Sequence, residues 1–154
     1  MRIQRKILLL SLALPLFAGL ISSLIIKDDV SMFQTLQLPP LAPPSWIFPI
    51  VWTALYLLMG ISCYLIITFN HFDRAKALSV YFIQLTLNFL WAPVFFHFQR
   101  YFLAFLIIIL LIAIVLLMIQ LFYQISPLAA FLQLPYLLWL FFAAYLNVAI
   151  LFLN

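Results

Sequence analysis

The chain has very few charged residues, and this shortage excludes most classes of soluble protein. Of its 154 residues only 6% are charged, none is glutamate, and the acidic residues are Asp28, Asp29 and Asp73. Hydrophobic residues make up 69%, whereas a soluble domain has about 45–50% hydrophobic and about 25% charged residues. A soluble fold of this composition would have too little polar surface to meet water. The sequence therefore predicts an integral membrane protein.

Several functional classes also lack the residues they require. Cys63 is the single cysteine, so neither an intramolecular disulfide nor a CxxC metal motif is possible. HExxH motifs and clustered carboxylates are absent from the sequence, and we expect no metal site and no acid–base catalysis. The net charge of +4 is small and dispersed, which argues against nucleic-acid binding. His71 and His97 lie near predicted helix ends and are interpreted as interfacial residues.

The apolar residues form long runs, each sufficient for the about 17–25 residues that a spanning helix needs. They predict an all-α fold, a single domain of transmembrane helices in an up-and-down bundle. The expected spans are residues 7–26, 46–68, 78–98, 102–122 and 128–153. The first run is longer than the apolar part of a signal peptide, so we expect an uncleaved helix. No ionisable residue lies deep in a span, which disfavours an ion-coupled transporter.

The basic residues predict the orientation of the bundle, because Lys and Arg favour the cytoplasmic side of short loops. One end of the expected bundle holds most of them, and the other end holds two. The first group is Arg2, Arg5, Lys6, Arg74 and Lys76, and the second is Lys27 and Arg100. We therefore expect a cytoplasmic N-terminus and an external first loop, in what we take to be a bacterial cell membrane.

Polar and aromatic residues recur at helical spacing on three of the expected helices. Gln84 and Asn88 should face the bundle interior, because an unpaired amide in hydrocarbon is costly. One interpretation is that these stripes join helices, since each such hydrogen bond contributes about 0.6–2 kcal/mol. We favour a cavity lined for a flat, hydrophobic, conjugated ligand. The stripes are Trp52, Tyr56, Met59 and Cys63; Tyr81, Gln84, Asn88, Trp91 and Phe95; and Tyr136, Trp139, Ala143 and Asn147.

The loop at 27–45 is long for a compact bundle, and such loops often act as lids. We expect a short helix after Asp29 or Ser31, capped by one of these side chains. The segment LPPLAPPSW should then run extended and stiff across the pocket, because proline fixes φ and lacks an N–H. Trp46 would lie at the rim. The lid prolines are Pro39, Pro40, Pro43 and Pro44.

Three stretches, LPPLAPPSWIFPIVWTALYLLMGISCYLI, LNFLWAPVFF and SPLAAFLQLPYLLWLFFAAYLN, resemble motifs of the translocator protein family, also called tryptophan-rich sensory proteins or peripheral benzodiazepine receptors (TspO/MBR). Their order and spacing match over about residues 32–154. The resemblance implies a five-helix bundle, frequently a homodimer in membrane lipid. It also implies a pocket beneath the first loop that binds porphyrins such as haem, sterols, or isoquinoline and benzodiazepine drugs, with no obligatory cofactor. The implied ligand-binding residues are Trp46, Trp52, Tyr56, Asn88, Trp91, Tyr136, Trp139, Ala143, Leu146 and Asn147.

Three functional hypotheses follow from the stripes and the resemblance. The favoured one is a membrane receptor or sensor for porphyrin-like ligands, because the expected pocket contains no catalytic group. An alternative is an enzyme that degrades bound porphyrin with light and oxygen, in which Trp46 or Trp139 supplies an oxidisable indole. The other alternative is a facilitated translocator of tetrapyrroles or lipids.

Overall fold

The computed structural model describes residues 3–154 and consists of helices and their connections. Its elements are α1 Arg5–Ile26, α2 Val30–Phe33, α3 Ile47–Thr68, α4 Arg74–Ala92, a π-helical turn Pro93–His97, α5 Tyr101–Ile125, α6 Pro127–Phe131 and α7 Leu134–Leu153. Five spans are long and apolar enough to cross a membrane: α1, α3, α4 with the π-helical turn, α5, and α6 with α7. The predicted all-α, five-span architecture is confirmed.

The predicted spans agree with the observed ones to within four residues at each end, and two departures have a clear cause. The third begins at Arg74 rather than at residue 78, because Arg, Ala and Lys are good helix formers even though their charge ends the apolar run. The fifth is divided between α6 and α7, so the prediction of one continuous helix over 128–153 is wrong. Pro135 explains the break, since it has no N–H to continue the α6 hydrogen-bond ladder. The Ser126 hydroxyl caps α6 by accepting from the Ala129 N–H at 3.4 Å.

The helices close into a ring. α1 packs against α3 and α4, α5 packs against α4 and α7, and α6 completes the ring against α3. The contact between α1 and α3 is close because Gly60 has no side chain. A Cβ at this position would lie 2.7 Å from Leu12 Cα and 2.8 Å from the Ser11 carbonyl oxygen. Small residues at such crossings let membrane helices pack backbone against backbone.

The two ends of the ring are fixed by long-range hydrogen bonds. The Gln4 N–H donates to the Tyr64 hydroxyl at 3.1 Å, which places the start of α1 beside the end of α3. At the other end Asp29 lies against His97. The basic residues used to predict the orientation therefore lie at the two ends of the bundle, in the groups predicted from the sequence. Arg2 lies outside the described residues. The direction of the bundle across the membrane stays a prediction.

The loop between α1 and α3 begins with the short helix α2, in the expected place. Asp29 precedes α2 but its side chain makes no capping bond. The expected cap by Asp29 or Ser31 is therefore wrong. The Ser31 hydroxyl donates to the Asp28 carbonyl at 3.3 Å. The Asp29 carboxylate contacts the His97 ring, with 2.8 Å between Oδ2 and Nδ1.

The proline segment is not one continuous extended strap, so that prediction is wrong. The chain turns over residues 39–42, where the Ala42 N–H donates to the Pro39 carbonyl at 3.2 Å. Leu41 has a φ of 71°, and proline followed by a residue with positive φ is the pattern of a type II turn. The turn rests on α7, because the Tyr145 hydroxyl donates to the Pro40 carbonyl at 2.8 Å.

Candidate functional site

Within residues 3–154, which the structure describes, the main cavity lies between α1, α2, α3 and α4. It has a volume of about 190 Å³. One side is formed by small residues of α1, Gly19, Ser22 and Ser23. The opposite side is aromatic and combines rings from α2, α3, α4 and the π-helical turn. These rings belong to Phe33, Phe48, Trp52, Tyr56, Trp91 and Phe96.

A chain of hydrogen bonds connects the cavity wall to the bundle interior. The Tyr56 hydroxyl donates to Asn88 Oδ1 at 2.9 Å, and Asn88 Nδ2 donates to the Tyr136 hydroxyl at 3.0 Å. Tyr136 in turn donates to Gln84 Oε1 at 3.0 Å. Both amides are buried, which confirms that they face the interior. Asn88 therefore holds three helices together at the point where it reaches the cavity.

A smaller chamber of about 20 Å³ lies towards α7. Its α7 side is formed by residues of the fifth span's predicted stripe and by Leu146 and Ile150. Trp91 reaches this chamber from α4, and its Nε1–H donates to Asn147 Oδ1 at 3.1 Å. The α7 residues that line the chamber are Trp139, Ala143, Leu146, Asn147 and Ile150.

The predicted ligand-binding residues fall into three groups. Trp52, Tyr56, Asn88 and Trp91 line the main cavity, and Trp52 and Trp91 also line the smaller chamber with Trp139, Ala143, Leu146 and Asn147. Tyr136 and Trp46 line neither. Tyr136 is fully buried behind Asn88, whereas Trp46 is 65% exposed. Their roles in binding a ligand stay predictions.

Trp46 and Trp139 are the two tryptophans of the photochemical alternative, and they differ in their position relative to the cavities. Trp139 lines the smaller chamber and its ring lies 6.4 Å from that of Trp52. Trp46 lines neither space. Of the two indoles, Trp139 alone lines one of the two spaces.

The lid of the main cavity is α2 rather than the proline turn. The loop residues that line the cavity are Val30, Phe33 and Ser45, and the predicted lid residues Pro39, Pro40, Pro43 and Pro44 line neither space. The lid helix is fastened to the π-helical turn by the Asp29–His97 contact. The Gln99 Nε2 atom adds a contact to Met32 Sδ at 3.0 Å.

The α1 side of the cavity was not predicted from the sequence. Ser22 and Ser23 lie about one helical turn after Gly19 on a helix otherwise rich in bulky residues, and this spacing was the available signal. Ser22 has a second role. Pro93 has no N–H to donate to the Phe89 carbonyl four residues earlier, and the Ser22 hydroxyl approaches that carbonyl at 3.5 Å. Pro93 thereby widens the end of α4 into a π-helical turn. It also leaves the Phe89 carbonyl free to contact Ser22 of α1.

The chain is similar to known proteins of the family that its sequence motifs resemble. The family model described as TspO/MBR matches residues 11–153, which extends the resemblance into α1. The chain is 38% identical over 122 residues to the tryptophan-rich protein TspO of Archaeoglobus fulgidus, covering 79% of each chain. It is 33% identical over 130 residues to the tryptophan-rich sensory protein of Cereibacter sphaeroides, covering 84% of this chain and 80% of that one. It is 39% identical over 118 residues to the translocator protein of Ovis aries, covering 75% and 70%.

Proposed function

The chain belongs to the TspO/MBR family of membrane sensor and translocator proteins, and from this premise we propose that it is a membrane receptor for a flat, hydrophobic ligand. The ligand class is porphyrin-like, with sterols and isoquinoline or benzodiazepine compounds as further members. The main cavity between α1 and the aromatic side chains of α3 and α4 is the binding site. Occupancy of this site would report the ligand's concentration to a partner protein.

One observation carries the proposal: a cavity inside a membrane bundle has an aromatic wall and only a few polar groups. Trp52 and Tyr56 stack with 5.6 Å between ring centroids, which makes a broad flat surface against which a conjugated ligand can pack. Asn88 and Tyr56 supply the polar groups at the inner end. Sites with apolar walls and a few placed polar groups are typical of small-molecule binding.

Filling the cavity tests the proposal. Ala92 lines the cavity, and Ala92→Leu adds bulk there without removing a hydrogen bond. We expect protoporphyrin IX to quench the tryptophan fluorescence of the wild type in a saturable manner, and the dissociation constant to rise about tenfold or more in Ala92→Leu, because excess volume in a packed site is costly. Titration in detergent micelles measures both.

The matched control is Ala13→Leu, which makes the same substitution on the outer, exposed face of α1. This variant should titrate like the wild type. Equal weakening in both variants would show that quenching reports ligand in the micelle rather than in the cavity. Absence of saturable quenching by porphyrin, sterol and isoquinoline ligands in the wild type would refute the receptor function.

A further inference from the structure

The lid helix α2 is too short to hold its position by itself. It has four residues, Val30–Phe33, and a helix of this length is marginal without tertiary contacts. Phe33 anchors the lid by its aromatic contacts, with 5.6 Å between its ring centroid and that of Phe48 and 6.1 Å to that of Phe96. The position of the lid over the main cavity therefore depends on contacts with α3 and the π-helical turn.

The lid has one contact with the bundle in which both partners can carry a charge. Asp29 Oδ2 lies 2.8 Å from His97 Nδ1. Asp29 immediately precedes Val30 and His97 immediately follows Phe96, and both of these neighbours line the main cavity. Asp29 and His97 themselves line neither the main cavity nor the smaller chamber. The contact can therefore be changed without changing the surface that a ligand would touch.

No other charged side chain of the described residues pairs with either partner. The neighbouring end of α1 and start of α5 supply the other titratable groups, which are Lys27, Asp28, Arg100 and Tyr101. Within residues 3–154, none of the charged groups among them lies within ion-pair distance of Asp29 or His97. The His97 side chain is 51% exposed and that of Asp29 is 23% exposed, so protons reach the pair directly from the aqueous phase.

The strength of this contact depends on pH because histidine changes its charge between about pH 5 and pH 8. A carboxylate stays ionised through this interval. At the acidic end the contact joins an imidazolium to a carboxylate, and such a charge-assisted bond is stronger than one made by a neutral donor. At the basic end the neutral imidazole of His97 can offer Asp29 only an uncharged N–H. The contact is therefore strongest at low pH and weakens as pH rises.

We propose that the Asp29–His97 contact is a proton-controlled latch on the lid. Protonation of His97 holds α2 over the main cavity and slows the release of bound ligand, and loss of the proton loosens the lid and speeds release. The effect is moderate because the pair is partly exposed to solvent. This inference rests on the proposed function, because the latch controls access to the same site.

His97→Gln and Asp29→Asn each remove one charge of the latch and keep a side chain that can form hydrogen bonds. Release of protoporphyrin IX into excess phosphatidylcholine vesicles is followed by stopped-flow recovery of tryptophan fluorescence. At about pH 5.5 we expect the wild type to release ligand about two- to fivefold more slowly than either variant, the range for a partly exposed ion pair. At about pH 8 the three proteins should release it at nearly equal rates. Comparison at one pH cancels the protonation of the ligand itself.

The matched control is His71→Gln, which changes the other histidine of the chain. His71 lies in the loop after α3, where its Nδ1 accepts from the Asp73 N–H at 3.1 Å, at the opposite end of the bundle from the lid. This variant should keep the pH dependence of the wild type.

Hydrogen exchange of the lid gives a second readout that needs no ligand. The backbone N–H groups of residues 30–36 are followed by quench-flow labelling and mass spectrometry. The wild type and His97→Gln have the same lid sequence, so their intrinsic exchange rates are equal at any pH, and a difference between them reports opening of the lid. We expect exchange to be about two- to fivefold slower in the wild type at about pH 5.5 and equal in both at about pH 8.

The outcomes separate the latch from the receptor function. If the ratio of wild-type to His97→Gln release rates is the same at both pH values, the latch is overturned and the receptor function stands. The same conclusion follows if His71→Gln abolishes the pH dependence of release. If no ligand binds the wild type, the receptor function fails, and lid exchange alone then decides whether Asp29 and His97 hold α2 by their charges.

Discussion

Asn88→Ala is expected to abolish saturable protoporphyrin binding and to lower the unfolding temperature. Asn88 accepts from Tyr56 and donates to Tyr136. Alanine therefore leaves the Tyr56 hydroxyl inside the bundle without its acceptor and removes one of the two bonds of the Tyr136 hydroxyl, which keeps its bond to Gln84. An unsatisfied buried group costs about 1–3 kcal/mol, and little water enters the hydrocarbon region to replace the lost bonds. Fluorescence titration measures the loss of binding, and thermal denaturation in detergent measures the loss of stability.

Two further variants separate binding from stability. Tyr136→Phe removes the hydroxyl that accepts from Asn88 and donates to Gln84, but this side chain lies behind the cavity wall. We therefore expect a comparable loss of stability and a much smaller loss of binding. Asn70→Ala changes an exposed asparagine in the loop after α3 and should behave like the wild type. If Asn88→Ala binds protoporphyrin and unfolds like the wild type, the assignment of Asn88 as the junction of three helices is wrong.

Gly60→Leu is expected to give the largest loss of stability. A Cβ at residue 60 would lie 2.7 Å from Leu12 Cα and 2.8 Å from the Ser11 carbonyl oxygen, and these backbone atoms cannot move without displacing α1. Overpacking typically costs about 1–3 kcal/mol, and the longer leucine adds to the collision. Because α1 also forms one side of the main cavity, its displacement should abolish ligand binding as well.

The series Gly60→Ala and Gly60→Leu should show progressively lower unfolding temperatures and a falling yield of monodisperse protein by size-exclusion chromatography. Gly19→Ala is the comparison. Its Cβ would collide with the Tyr56 ring. Moving this ring breaks its bond to Asn88 but leaves the helix backbones in place, so the stability loss should be smaller. A Gly60→Ala protein as stable as the wild type would contradict the close packing of α1 on α3.

The architecture followed from the sequence because the membrane allows few choices. A backbone in hydrocarbon must satisfy its own hydrogen bonds, so long apolar runs become helices, and all of the expected spans are present. The inward faces were also predictable. Gln84 and Asn88 are too costly to expose to lipid, and their spacing with Tyr81 indicates a single face of α4.

Local sequence rules missed details of the first loop, where polar groups find partners elsewhere in the fold. Composition indicated a straight proline strap, but Leu41 takes a positive φ and the turn is held by Tyr145 from the far end of the chain. Asp29 or Ser31 was expected to cap α2, and the Asp29 carboxylate contacts His97 instead. In both cases the deciding contact comes from a residue distant in sequence.

The sequence by itself determined the membrane location, the number of spans and the face of each helix that turns inward. The tertiary structure decided which inward residues meet: Asn88 with Tyr56 and Tyr136, and Trp91 with Asn147. It also decided that small residues of α1 form one side of the cavity and that α2 covers it. The physical reason is that helical periodicity sets the direction of a side chain around its own axis, whereas the height and rotation of neighbouring helices are set by packing between them.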